Sequence, residues 1–152
     1  EAEGRAFEVA VKNVGAGHSL PTSLTEIREM WVELTVTDAS GAVVLRSGVL
    51  DEAGEIPEGS IRFGAIMEDA LGNPTVKPWE GVRFRVKRLV PPRGEDVTRV
   101  DLPETANGDL TVKARLLYRS ASPRVVRMVM KDEAFPMEIV EMATARRVVT
   151  IR

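Results

Sequence analysis

The chain holds one histidine, His18, in the stretch Asn13–Ser23, NVGAGHSLPTS, where two glycines precede it and a proline follows. Imidazole is the side chain best suited both to ligate a metal and to exchange a proton near neutral pH. The rest of the sequence limits what this one can do. With no cysteine and no second histidine, neither a histidine- or cysteine-rich zinc site nor a two-histidine iron site can be assembled from the chain itself. Disulfides and thiol catalysis are excluded on the same ground. Ser19 adjoins His18, but no Gly-x-Ser-x-Gly elbow surrounds it and no nucleophile is paired with a base. The chain is therefore expected not to be an enzyme.

A lone histidine can still complete a site whose other ligands come from elsewhere. Haem iron is such a case, since beyond the ligand beside its attachment motif it needs one further axial donor. The competing reading is structural: a histidine in a glycine-rich turn can hydrogen-bond across the loop and hold it shut.

Three other groups of residues have chemical potential. Asp51, Glu52, Glu55 and Glu58 lie in one loop, with Glu68 and Asp69 in the next region. Calcium takes six to eight oxygens, so a calcium site built from Asp51, Glu52, Glu55 and Asp69 stands beside the commoner reading of solvated loop carboxylates. No EF-hand spacing occurs. Arg83, Arg85, Lys87 and Arg88, with Arg93 nearby, form a basic strip that could meet haem propionates or an acidic partner surface through charge-assisted hydrogen bonds or simply be the wet face of a strand. Trp31 and Trp79 could each anchor an interface, and Trp79 could equally plug one end of the fold.

These residues must be positioned by elements that the hydrophobic pattern predicts. In RAFEVAVKN, Phe7, Val9 and Val11 alternate with Glu8, Ala10 and Lys12, and in EMWVELTVTD the inward set is Met30, Val32, Leu34 and Val36, with Trp31 outward. Both have the period of two expected of strands with one buried face. Asp-Ala-Ser-Gly turns the second run into AVVLRSGVL, which predicts a hairpin. IRFGAIM, VTRVDLP and LTVKARLLY read as further strands, and VRFRVKRLV as one with Val82, Phe84 and Val86 inside. Ser122 and Pro123 suit the cap and first position of one short helix around 122–131, with a strand as the alternative because its valines are stiff in helices. The closing residues, from Met137 onward, read as an extended segment returning to the sheet. Short strands between Gly/Pro turns predict an all-β, immunoglobulin-like β-sandwich with at most that one helix.

The chain has 152 residues, 43% hydrophobic and 29% charged, which fits one globular domain over 1–152. Its formal charge of −2 argues against nucleic acid as partner, because phosphate binding needs an excess of Lys and Arg. No run approaches the ~20 apolar residues of a membrane helix. A first residue of Glu1 leads to the expectation of a processed chain or a piece of a longer protein.

VKNVGAGHSLPT, followed by a strand with a tryptophan and then LRSGVLDEAG, resembles the β-rich C-terminal domain of periplasmic or extracellular multihaem c-type cytochromes. The similarity continues through RLVPPRG, LTVKARLLYRSASP and IVEMATA, and so spans nearly the whole chain. The resemblance implies a non-catalytic accessory domain that supports electron transfer by covering haem and mediating assembly, outside the cytoplasmic membrane. It implies His18 as a distal axial ligand, with Gly15 and Gly17 letting the backbone approach a flat macrocycle and Pro21 stiffening the far side. A loop carbonyl is expected to hold the other ring nitrogen. Without any Cys-x-x-Cys-His, haem c must be carried by another segment or subunit, the haem-bearing partner; self-association is a further expectation. The rival class is a generic immunoglobulin-like binding or adhesion module, calcium-stabilised and without haem.

Overall fold

A computed structural model of the protein describes residues 5–131 and 135–151, and the ends of the 1–152 domain expectation lie outside them. The elements in chain order are β1 (Ala6–Lys12), β2 (Glu29–Thr37), β3 (Val43–Ser47), β4 (Arg62–Glu68), β5 (Pro74–Thr75), β6 (Arg83–Arg88), β7 (Glu95–Asp101), β8 (Gly108–Arg119), α1 (Pro123–Met130) and β9 (Val140–Ile151). The fold is the expected all-β, sandwich-like one. An immunoglobulin domain divides its strands almost evenly between two sheets. Here, among the described residues, β1 and β7 form a two-stranded sheet, and the other strands form one sheet in the order β5-β4-β2-β8-β9, with β3 beside β2 and β6 beside β4.

Alternation puts the expected residues in the core. Met30, Val32, Leu34 and Val36 of β2 lie opposite Tyr118, Leu116, Ala114 and Val112 of β8, and this face packs against Phe7 and Val11 of β1 together with Leu110, Phe63 and Val90. Burying each such side chain contributes about 1.5–3 kcal/mol. The β2–β3 hairpin closes through Asp38, whose Oδ1 accepts the Ser40 and Ala42 N–H groups and the Ser40 hydroxyl, while Gly41 takes φ 86°. Helix α1 starts as its cap predicts: the Ser122 hydroxyl accepts the Val125 N–H at 3.2 Å, and Val125 and Val126 are buried.

Two inside–outside expectations are corrected. Trp31, read as outward, is fully buried, because the back face of the large sheet is covered there as well. Its Nε1 donates to the Gly48 carbonyl at 3.0 Å, and the Arg119 guanidinium lies 5.4 Å from its ring. It therefore offers nothing to an interface. Val82, Phe84 and Val86, read as inward, are instead 64%, 47% and 45% exposed. Among the described residues strand β6 pairs with β4 alone, so its alternation reflects pleating without a layer to cover it. Trp79, at 80% exposure, does not plug the sandwich.

Candidate functional site

The His18 loop leaves the end of β1 and crosses to the start of β2. Strand β1 runs along β8 in the same direction, since Phe7 and Val112 line one cleft while Lys12 and Leu116 line the next. Register then pairs Glu29 with Arg119 and Tyr118 with Val140. The loop, helix α1 and the first residues of β9 consequently gather at one end of the sandwich.

Asn13, 3% exposed, closes the loop. Its Nδ2 donates to the His18 carbonyl at 2.8 Å and its Oδ1 accepts the Ala16 N–H at 3.0 Å. Both feet of the loop are fixed to the segment between β6 and β7. The Asn13 N–H donates to the Gly94 carbonyl at 2.9 Å, and Leu20 and Val90 exchange backbone hydrogen bonds at 2.9 and 2.8 Å. Pro21 is buried and follows a cis peptide bond.

From this braced loop the imidazole projects into solvent. Its Nδ1 lies 3.1 Å from the carbonyl oxygen of Ser19, the neighbouring residue. A carbonyl only accepts, so this contact calls for a proton on Nδ1, and Nε2 has no partner among the described residues. The expected loop-carbonyl partner is thus Ser19. Closing the loop, which the structural reading gave to the histidine, is done by Asn13. No sequence pattern marked Asn13 for this beyond its place two residues before Gly15 in a turn.

Gly15 and Gly17 both precede His18 in the loop. Neither has a positive φ, and a Cβ on either would meet nothing within 4 Å. The fold itself thus gives no steric or dihedral reason for glycine at these positions. Of the residues in this loop the exposed imidazole is the one that could hold a metal brought by another polypeptide segment.

The acidic residues are not brought together as a cation site. Asp51 Oδ1 accepts the Glu55 N–H at 2.8 Å, Glu55 pairs with Arg127 at 3.2 Å, and Asp69 accepts the Leu71 and Asn73 N–H groups. Glu52 and Glu58 are exposed. Among the described residues no three His, Asp or Glu side chains converge for a metal, because these oxygens serve their own turns. The calcium expectation from Asp51, Glu52, Glu55 and Asp69 therefore gains no support.

The basic strip is largely neutralised. The ladder pairs Ile66 with Val86 but Met67 with Phe84, so Arg85 is an inserted bulge residue. Arg83 and Arg85 converge on buried Glu68, at 2.8 and 3.4 Å. Arg88 crosses to β7, where its Nε donates to Asp96 at 3.0 Å, and it stacks 5.0 Å over the Phe63 ring. Lys87 lies 5.2 Å over Phe84. Arg93 alone of the strip has no ion pair or ring beneath it among the described residues.

A second ionic group escaped sequence reasoning. Glu29, 1% exposed, accepts from Arg119 Nε at 2.6 Å and pairs with Arg62 at 2.7 Å. Arg119 also donates to the Gly54 carbonyl at 2.7 Å. Its Nη2 lies 2.6 Å from Glu29 as an ion-pair contact, but no N–H points correctly and that atom makes no hydrogen bond. The role is structural: it covers Trp31 and ties the start of β2 to the end of β8.

No family model matches the chain, and no curated protein does. Among solved structures, the fold is similar to that of a penta-heme cytochrome c552 from Thermochromatium tepidum, with a TM-score of 0.72 and 20% identity. The similarity covers 98% of this chain and 37% of that one. At this identity the likeness is one of fold. No helix among the described residues is long and apolar enough to cross a membrane.

Proposed function

We propose that the protein is a non-enzymatic accessory domain of a multihaem cytochrome c assembly, working in electron transfer outside the cytoplasmic membrane, with His18 as distal axial ligand to one haem. The observation that carries this is the state of the imidazole, an exposed ring with Nδ1 tied to the Ser19 carbonyl at 3.1 Å and Nε2 without a partner among the described residues. Metal-bound histidines are generally oriented by such a bond on the other nitrogen. Bare backbone at Gly15 and Gly17 and a fold shared with part of a penta-heme cytochrome support the same reading.

With no cysteine in the chain, the haem is carried by another segment or subunit and supplies one-electron chemistry at its iron. The domain's own work is positional. The Asn13 clasp and the pairing of Leu20 with Val90 hold the imidazole in place. Gly15 and Gly17 give the macrocycle a flat approach, and Pro21 lies buried at the foot of the loop. Assembly against the haem-bearing polypeptide is supported by Val129, Phe135, Ile139 and Met142, which are exposed at the same end of the sandwich.

The test is a His18→Ala variant of the haem-loaded natural assembly, read by visible and electron paramagnetic resonance spectra. Loss of one low-spin bis-histidine haem signal is expected. An unchanged low-spin haem content would return His18 to a purely structural role.

A further inference from the structure

The segment that fixes both feet of the His18 loop carries a residue whose placement the fold does not explain. Gly94 N–H donates to the Pro91 carbonyl at 3.1 Å, which makes Pro91–Gly94 a tight turn with Pro92 and Arg93 at its corners. Arg93 has φ 55°, at the corner where a type II turn calls for glycine or asparagine. A larger side chain in that region costs backbone energy. Residues held this way cluster at functional positions. Here the strained residue is an exposed arginine with no ion pair among the described residues, whereas Arg83, Arg85 and Arg88 are all committed to carboxylates.

Position completes the argument. Gly94 receives the Asn13 N–H and Val90 pairs with Leu20, so the turn that carries Arg93 is joined to the loop on both sides of His18. The turn that carries this cation is thereby fastened to the loop that carries the imidazole. A haem has the matching chemistry: an iron for the imidazole and anionic propionates at one edge of the ring. We infer that Arg93 receives a propionate carboxylate of the haem whose iron His18 ligates, through a charge-assisted hydrogen bond that fixes the orientation of the ring. This rests on the His18 reading above.

The test uses ferric mesohaem with cyanide on one axial position, leaving one position for an imidazole, in its diacid form and as the dimethyl ester. Binding is followed by the Soret shift. The wild type is expected to bind both, the diacid roughly tenfold more tightly, as one charge-assisted bond provides. Arg93→Gln should reduce diacid binding to the level of the ester and leave ester binding unchanged, while Arg93→Lys keeps most of the preference. Arg93→Gly should lose the preference and yet melt a few degrees higher, because glycine relieves the turn. Equal binding of diacid and ester by the wild type, or a preference that survives in Arg93→Gln, would overturn the inference while leaving His18 as ligand. Binding that is absent from the wild type, or that persists in His18→Ala, would overturn the ligand reading and the inference with it.

Discussion

Asn13 donates its side-chain amide to the backbone carbonyl of His18 at 2.8 Å, while the His18 ring itself, among the described residues, bonds no further than the carbonyl of Ser19. The residue that shapes the loop and the residue available for chemistry are therefore different. This separation sets the first prediction. Asn13→Ala should lower stability by about 1–3 kcal/mol, the cost of leaving buried polar groups unpaired, whereas His18→Ala should change it by less than about 0.5 kcal/mol, as for an exposed side chain. Urea unfolding of both variants checks this, and a large loss in His18→Ala would show that the ring braces the fold after all.

The glycines divide in the same way. A Cβ at Gly15 or Gly17 meets open space, but one at Gly48 would lie 2.1 Å from the Val32 carbonyl oxygen at φ 72°. Alanine at 15 or 17 should be neutral or stabilising by up to about 1 kcal/mol, through the unfolded chain. Both variants should nonetheless weaken haem binding. Gly48→Ala should cost more than about 2 kcal/mol, because strain and overpacking act together. Thermal melts of the three variants, with haem titration of the first two, test the distinction.

Glu29 and Arg119 form a buried pair across two strands. Removing Glu29 strands the buried Arg119, so Glu29→Ala should cost about 3–5 kcal/mol, whereas Arg119→Ala should cost less because Glu29 keeps its ion pair with Arg62 at 2.7 Å. The combination Glu29→Leu with Arg119→Met should cost less than either single loss, since replacing a buried pair by apolar residues is often close to neutral. A double-mutant cycle in urea measures the coupling. Additive losses would mean that the two charges are not interdependent.

The hairpin turn should give a signature in acid. The Ser40 hydroxyl, followed by the N–H groups of Ala42, Ser40 and Gly41, holds the Asp38 carboxyl below its usual value of 3.8. A carboxyl lowered in the folded state contributes stability above its unfolded value and loses it as the pH falls through the folded one. Wild type should therefore exceed Asp38→Asn at pH 7, and the gap should narrow as the pH falls below about 4. Denaturation at pH 7, 4 and 2.5 reads it, and a gap that persists at pH 2.5 would locate the effect elsewhere than in the charge.

Much of the fold was legible because its signals are local. The pleat of β1, β2 and β8 follows from alternation within a few residues. Ser122 and Pro123 announced the start of α1 through the chemistry of one turn. His18 stood out as a lone imidazole among glycines, and its need for a second acceptor pointed to a loop carbonyl, which Ser19 supplies. What alternation could not reveal is coverage. Trp31 is buried on the back face of its sheet because pairing brings in Arg119 from 88 positions further along, while Val82, Phe84 and Val86 lie bare because β6, among the described residues, pairs with β4 alone. Tertiary structure alone decided that Asn13 closes the loop and that the basic strip is spent on Glu68 and Asp96. It also put Arg93 in the turn fastened beside His18. The physical reason is that a side chain's alternation is fixed by its own backbone, but its burial and its charge partner depend on segments distant in sequence that meet only when the sheets assemble.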